Sequence, residues 1–226
     1  MKILLTLPLF LFFSQLCIGQ SINIDSLYKT IKTTHRYEKF PHDWNDHLLK
    51  FYNQENLVVY ILRFDENNKI DESIGGIALS MFLYDSLGRS IEDRYYNKQG
   101  KLQKSDWPPI LKTTYNEQGQ IFSKTYYGED NKPMSVLAKI EFYYDSTGKV
   151  IEERSFDENF KLTGPVCITK FEYNEKNNIV YISEYDNAYK IHLRRGYAYE
   201  VEVYESSKRK NLLERFYLDI NKEKIK

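Results

Sequence analysis

Residues 136–156 read VLAKIEFYYDSTGKVIEERSF, and this stretch contains two strand-like segments on either side of a turn. Asp145 can accept hydrogen bonds from the backbone of the turn, and Gly148 tolerates the left-handed conformation at its exit. The flanking residues alternate in polarity, as those of a half-buried strand do. The stretch predicts a β-hairpin with a type I turn and a bulge, in which Ile140, Phe142 and Tyr144 share one face and Lys139, Glu141 and Tyr143 the other.

The hairpin pattern recurs along the chain. A tyrosine before a turn occurs six times, at spacings of 32, 31, 29, 29 and 31 residues, at Tyr52, Tyr84, Tyr115, Tyr144, Tyr173 and Tyr204. A second aromatic residue follows each tyrosine after 12 residues, or 13 in the last copy, at Phe64, Tyr96, Tyr127, Phe156, Tyr185 and Tyr217. A nearly constant interval marks a rigid unit, whereas the return interval of 17 to 20 residues marks a connection that tolerates insertion.

This periodicity predicts an all-β fold, an antiparallel β-hairpin repeat array of about six repeats of 29–32 residues with about twelve strands. A single hairpin is marginal in water, so the repeats are expected to stack on one another. The resulting sheet is expected to be open and twisted, or solenoid-like.

The N-terminal residues, 1–19, have the features of a secretory signal peptide. Lys2 precedes the apolar run from Ile3 to Phe13, and Cys17 and Gly19 place small residues before a cleavage site. We expect an exported protein of the periplasm, the cell surface or the medium. A lipoprotein reading, which would use Cys17, is disfavoured because Leu16 precedes it.

Two segments follow the predicted signal peptide. Residues 20–40 are expected to form an N-terminal helical cap, with Asp25-Ser26 at the start of a helix that continues through Thr34. A repeat array needs such an atypical end to cover its first unit. Residues 41–222 are expected to form the β-hairpin repeat domain.

Charge and cysteine content exclude several classes of function. The 32 basic and 32 acidic side chains balance, which removes the electrostatic case for nucleic-acid binding. After the signal peptide, no run approaches the length of a transmembrane helix, so no membrane span is expected in the mature chain. Signal cleavage would leave Cys167 as the single cysteine, which we interpret as a small buried apolar residue.

The repeat also accounts for many of the 20 tyrosines. Aromatic residues at equivalent strand ends are expected to form rows of rings across neighbouring repeats, with the phenol oxygens in water at an exposed rim. Each ring pair would add about 0.5–1.5 kcal/mol beyond its buried area. The aromatic rows are therefore predicted to stabilise the array.

These Tyr-Asp-x-x-Gly units, as in Tyr84-Asp85-Ser86-Leu87-Gly88 and Tyr144-Asp145-Ser146-Thr147-Gly148, resemble bacterial YD-type (Rhs-like) tandem β-hairpin repeats. The resemblance covers roughly Tyr52 to Lys222 and is closest to short exported proteins. It implies stacked hairpins. It supplies no catalytic residues, and six repeats are too few to form the enclosing shell of the large members.

Exposed side chains at the turns are the candidate binding residues. A lysine lies five residues after each second aromatic, at Lys69, Lys101, Lys132, Lys161, Lys190 and Lys222. Lys101, Lys132 and Lys161 could bind an anionic polymer such as an acidic glycan. The alternative is a solvated row paired with nearby Asp side chains, which would also discourage aggregation. Trp107 could stack on a sugar or anchor a partner, or it could fold over the sheet edge.

Catalytic chemistry has little support. The cluster from His42 to His47 contains metal-ligand residue types, but it lacks the spacing of a zinc site, so no metal or other cofactor is expected. Glu152 and Glu153 are strand neighbours that face opposite ways and cannot act together as acid and base. The sequence favours a non-enzymatic binding or interaction module of the bacterial envelope, with an unknown protein or glycan as ligand. The alternatives are a structural envelope protein and a hydrolase with its site near the N-terminal cap.

Overall fold

The computed structural model describes residues 21–41, 47–72, 75–103, 108–176, 178–193, 197–205 and 211–224. Within these ranges the chain forms one helix, α1 (Ile24–Thr34), and thirteen strands. The strands are β1 (Arg36–Pro41), β2 (His47–Tyr52), β3 (Val58–Phe64), β4 (Leu79–Tyr84), β5 (Ser90–Tyr96), β6 (Ile110–Tyr115), β7 (Ile121–Tyr127), β8 (Lys139–Tyr144), β9 (Val150–Phe156), β10 (Ile168–Asn174), β11 (Ile179–Tyr185), β12 (Tyr199–Tyr204) and β13 (Leu212–Leu218).

The strands form one open antiparallel sheet in which they follow one another in the order of the sequence. The predicted all-β hairpin array with a short N-terminal helix is therefore confirmed. The sheet has one strand more than expected. Residues Arg36–Pro41, which the sequence assigned mainly to the helical cap, form β1 and pair with β2.

The N-cap of α1 lies two residues before the predicted cap at Asp25. Asn23 is the N-cap, and its side-chain oxygen accepts a 2.9 Å hydrogen bond from the backbone N–H of Ser26. Asp25, which was expected to take part in the cap, lies in the first turn, where its negative charge favours the helix dipole. Asn and Asp both suit an N-cap, so the local pattern did not separate them.

The hairpin turns at Asn53, Asp85, Asn116 and Asp145 are held by the side chain of that residue, as the sequence predicts. In the turn after β8, the Oδ1 atom of Asp145 accepts hydrogen bonds from the N–H groups of Thr147 and Lys149, at 2.8 and 3.0 Å. Gly148 follows with a φ of 87°. The register shifts between Tyr143 and Tyr144, which confirms the bulge.

The residues group into two compact units. The first comprises residues up to Leu111 together with Tyr127–Lys132, and the second comprises Lys112–Tyr126 and Pro133–Lys226. The first unit has the larger apolar core, in which α1 packs on one face of the strands. Its core includes Ile24 and Ile31 from the helix and Phe51, Leu62, Phe64 and Leu79 from the sheet, all nearly inaccessible to water.

The second unit has a smaller apolar core. Ile168 and Val201 are fully buried, and Cys167, which precedes Ile168 in the sequence, is buried as expected. Many other strand residues are half-buried, and several of them are charged. Many of these half-buried side chains form ion pairs and aromatic contacts, which are described below.

Tyrosine hydroxyl groups join successive hairpins. Tyr84, Tyr144 and Tyr173 donate hydrogen bonds of 2.7 Å to the backbone oxygens of Val58, Ile121 and Val150. Each acceptor is the first residue of the second strand in the preceding hairpin. The expectation that these phenol oxygens stay in water was therefore wrong, because each hydroxyl satisfies a backbone carbonyl group.

The last repeat differs from its predicted alignment. Leu218 forms an isolated β-bridge with Lys224. In an earlier repeat, the equivalent bridge joins Phe156 to Leu162. Leu218, rather than Tyr217, thus occupies the second aromatic position. The turn after β12 is longer, with Glu205 bonded to Asn211, and this insertion shifts the spacing.

In the part of the chain described above, no helix has the length and apolar character needed to cross a bilayer.

Candidate interaction surface

The predicted lysines lie on the turns that connect one hairpin to the next. Lys101, Lys132 and Lys161 are all exposed. The backbone N–H of Lys161 donates to Asp157, and that of Lys101 donates to Asn97, so the turn carboxylate or amide binds the backbone. The ammonium group of Lys132 lies 3.5 Å from the carboxylate of Asp130. Exposed pairs of this kind contribute little to stability.

Lys222 does not belong to the lysine row. The backbone N–H of Asp219 bonds to the carbonyl oxygen of Glu223, as that of Asp157 bonds to Lys161 in an earlier repeat. Glu223 therefore occupies the last equivalent position. The expected row of six lysines ends at Lys190.

Trp107 lies outside the described ranges, as do five residues of the cluster from His42 to His47, namely His42, Asp43, Trp44, Asn45 and Asp46. His47 is described, and it is 7% exposed. Its ring stacks on Phe64 with 5.3 Å between ring centres and 9° between planes. His47 therefore contributes to the apolar core of the first unit. Among described residues, no group of three or more His, Cys, Asp or Glu side chains could hold a metal ion.

One turn position changes character between the two units. It is the residue just before each row position, and we call it the turn-exit position. In the first unit it holds Asn68, Gly100 and Asn131, which readily adopt a positive φ. In the second unit it holds Phe160, Tyr189 and Lys222, with φ values of 56°, 57° and 65°. Bulky side chains are rare in this backbone conformation.

Gly100 is needed at its turn because another segment occupies the space. The backbone N–H of Ile22 donates a 2.7 Å hydrogen bond to the carbonyl oxygen of Gly100. A Cβ atom at position 100 would overlap the carbonyl oxygen of Ile22. The chain that leads into α1 is thus docked on this turn.

In the second unit, side chains from the turn-exit position lie over the strands. The Tyr189 ring has Lys170 Nζ at 5.2 Å and the Arg154 guanidinium at 5.9 Å from its centre. Lys222 Nζ lies 5.2 Å from the ring centres of both Tyr181 and Tyr199. Even so, 45% of Tyr189 and 47% of Phe160 remain exposed.

Four cations of the second unit each lie against aromatic rings and a carboxylate. We call Lys139, Arg154, Lys170 and Lys222 the cation row. Arg154 illustrates the arrangement, with its guanidinium 4.3 Å from the Tyr143 ring centre and its Nε 2.5 Å from Glu152. The other pairs are Lys139–Glu141 at 2.6 Å, Lys170–Glu152 at 3.6 Å and Lys222–Glu172 at 3.4 Å. Glu152 is shared by Arg154 and Lys170, so three carboxylates face the four cations, and the row offers only a small net positive charge to an anionic ligand.

The ion pairs of the cation row shift the pKa values of their neighbours. Burial opposes ionisation of Glu141, but hydrogen bonds from Lys139 and Tyr143 outweigh it and hold its pKa below the ordinary value. Burial and the hydrogen bond to Glu141 raise the pKa of Tyr143 to about 12. Glu152 lies in the row while Glu153 is on the opposite face, as predicted for strand neighbours.

A shallow groove of about 500 Å³ borders Phe156 at the end of β9. Its lining includes the apolar residues Val136 and Val166 and the acidic residues Asp157 and Glu158. The first unit has a groove of about 580 Å³ between the start of α1 and two connecting turns.

Phe160 and Tyr189 were missed in the sequence. The signal was present, because these residues precede Lys161 and Lys190 at the position where earlier repeats carry Asn or Gly. Aligning the repeats on their lysines, rather than on their tyrosines alone, would have found it.

No protein-family model matches the chain, and no curated protein matches its sequence.

Proposed function

We propose that the protein is a non-catalytic binding module of the bacterial envelope, with a protein or a glycan as its ligand. The contact surface in this proposal is centred on Phe160 and Tyr189 in the second unit, with Lys161 beside it.

The observation that carries this proposal is the exposure of two aromatic rings on unfavourable backbone. A left-handed conformation costs a non-glycine residue roughly 1–2 kcal/mol. Asn68 and Asn131 show that this fold accepts a residue better suited to the position. If stability were the only requirement, Asn would be favoured over Phe160 and Tyr189 at this position. Residues with unfavourable backbone angles of this kind cluster at functional sites.

The surroundings suit a contact surface. Tyr189 is held by Lys170 beneath it, so its exposed face is presented with little loss of side-chain freedom on binding. Val136 and Leu193, on other connecting segments of this unit, are 84% and 51% exposed. Aromatic anchors flanked by apolar and charged groups are typical of interaction sites.

Binding can be tested with the double variant Phe160→Asn/Tyr189→Asn. The mature chain and the variant are compared for capture of envelope proteins after chemical cross-linking, and on a glycan array. We expect at least a tenfold loss of the captured partner or glycan signal. Asn preserves the turn, so the fold should survive the change.

Leu87→Asn is the matched control. Leu87 is 74% exposed on a hairpin turn of the first unit, so its replacement removes a comparable apolar side chain elsewhere. A ligand retained by the double variant, or lost equally by the control, contradicts the proposed surface.

Export and family membership are further parts of the proposal. Export is supported by the pattern of residues 1–19, and mass spectrometry of the mature N-terminus tests it, with Gln20 as the expected first residue. Membership in the YD-type repeats is supported by the Asp-held turns, such as that of Asp145.

A structural role in the envelope is the second candidate. It is favoured by two ion pairs of the cation row that link different elements. Lys170–Glu152 joins β10 to β9, and Lys222–Glu172 joins the turn after β13 to β10. In this case the Phe160→Asn/Tyr189→Asn variant would show no ligand to lose, while a deletion strain would show altered envelope integrity.

A further inference from the structure

Two tyrosines near the end of the chain have their rings in direct contact. The ring centres of Tyr197 and Tyr217 lie 4.3 Å apart, with 36° between the planes. Tyr217 is on β13 and is 37% exposed, and Tyr197 is half-buried just before β12. The hydrogen bond from the N–H of Ala198 to the carbonyl oxygen of Leu218 fixes the two backbones beside each other.

The repeat does not require this pair. Tyr217 lies one residue before the second aromatic position, so it is not one of the residues that recur. Equivalent positions in two earlier hairpins hold Leu137 with Ser155 and Val166 with Glu184. Tyrosine is therefore a particular feature of the last hairpin and needs its own explanation.

We propose that Tyr197 and Tyr217 form a dityrosine cross-link when the protein meets a one-electron oxidant, such as a haem peroxidase supplied with hydrogen peroxide. Each phenol loses one electron and one proton, and the peroxide is reduced to two molecules of water. The two tyrosyl radicals join through a new bond between ring carbons that are ortho to the phenol oxygens. The hydrogens on those carbons then move to the oxygens, which restores two phenols.

Contact between the rings makes this coupling favourable over competing reactions. Holding two reactants together replaces an encounter between separate molecules. Other ring contacts, such as Phe122–Tyr143 and Tyr28–Phe64, join a tyrosine to a phenylalanine, which lacks the phenol needed for coupling. The cross-link would tie the entry of β12 to β13 and restrain the last hairpin.

The test treats the dilute mature protein with hydrogen peroxide and a haem peroxidase. Dityrosine fluorescence measures the yield, and mass spectrometry of the digest identifies the link. We expect one peptide pair joined through Tyr197 and Tyr217, lighter than the separate peptides by two hydrogens. The Tyr217→Phe variant should lower the intramolecular yield roughly tenfold, because the other tyrosine rings with ring contacts among the described residues lie against Phe or His, which have no phenol for coupling.

Tyr189→Phe is the matched control, because Tyr189 is more exposed than Tyr217. This variant should leave the yield of the intramolecular cross-link unchanged. Circular dichroism checks that both variants fold. Cross-links that join only separate molecules, or a yield that Tyr217→Phe leaves intact, would overturn the proposal.

Discussion

The hydroxyl group of Tyr144 donates a 2.7 Å hydrogen bond to the backbone oxygen of Ile121 in the preceding hairpin. Tyr173 makes the same bond to Val150 one repeat later. The motif tyrosine therefore does two things, since its ring is partly buried and its hydroxyl joins one hairpin to the one before. This explains the choice of Tyr, rather than Phe, at positions 84, 144 and 173. The hydroxyl groups of Tyr52 and Tyr204 donate to the carboxylates of Glu38 and Glu202.

Replacing Tyr144 separates the ring from the hydroxyl. Tyr144→Phe removes one hydrogen bond and leaves the oxygen of Ile121 unpaired, which should cost about 1 kcal/mol. Tyr144→Ala also removes a half-buried ring and should cost about 3 kcal/mol. Urea unfolding measures both changes. Equal urea midpoints for the two variants would show that the ring of Tyr144 does not stabilise the repeat.

Gly100→Ala tests the docking of the segment before α1. The added methyl group must displace Ile22, so we expect a loss of about 2–4 kcal/mol and faster amide exchange at Ile22. Gly88→Ala is the matched control, because Gly88 also has a positive φ but its added Cβ would meet only Leu57, at 3.5 Å. The control should lose about 1 kcal/mol. Similar losses in the two variants would show that Ile22 is not docked tightly.

Phe160→Asn should raise stability by about 0.5–1 kcal/mol, because Asn adopts the left-handed conformation more easily. Tyr189→Asn should gain less, since it also loses the contact with Lys170, worth about 0.5–1 kcal/mol. Thermal unfolding gives both values. A loss of stability in Phe160→Asn would mean that the ring packs inward and is retained for the fold.

The cation row predicts sensitivity to acid. The pKa of Glu141 lies below its ordinary value of 4.5, mainly through its bonds to Lys139 and Tyr143 against the effect of burial. A carboxylate with a lowered folded-state pKa stabilises the protein fully above its unfolded-state pKa, and this contribution is lost as the pH falls through the folded value. Unfolding measured from pH 6 to pH 3 should therefore show a decline below about pH 4.5. Glu141→Gln should flatten part of this decline, and an unchanged profile would contradict the role of Glu141.

Much of the fold follows from spacing alone. The interval from Tyr144 to Phe156 sets the hairpin, and Asp145 and Gly148 set its turn, because these are local effects of backbone chemistry. The alternation of β8 gave the correct faces. The strand Arg36–Pro41 was not separated from the helical segment, since it has little alternation of its own and depends on β2 for pairing.

The candidate surface was harder to predict. Lys101, Lys132 and Lys161 are exposed as expected, but almost any lysine on a turn is exposed, so their exposure does not identify a binding site. Phe160 and Tyr189 stand out because of their positive φ angles, which cannot be inferred from the spacing of residues in the sequence. The docking of Ile22 on Gly100 joins residues that are distant in sequence, and no local pattern reports such a contact.

The central claim, that tyrosine hydroxyl groups join successive hairpins, is tested most directly by the free energy of unfolding of the double variant Tyr144→Phe/Tyr173→Phe. Both bonds lie in the second unit and their acceptors are separate, so their effects should add. We expect a loss of about 2 kcal/mol, against less than about 0.5 kcal/mol for the exposed control Tyr189→Phe. A double variant as stable as the control would contradict the account.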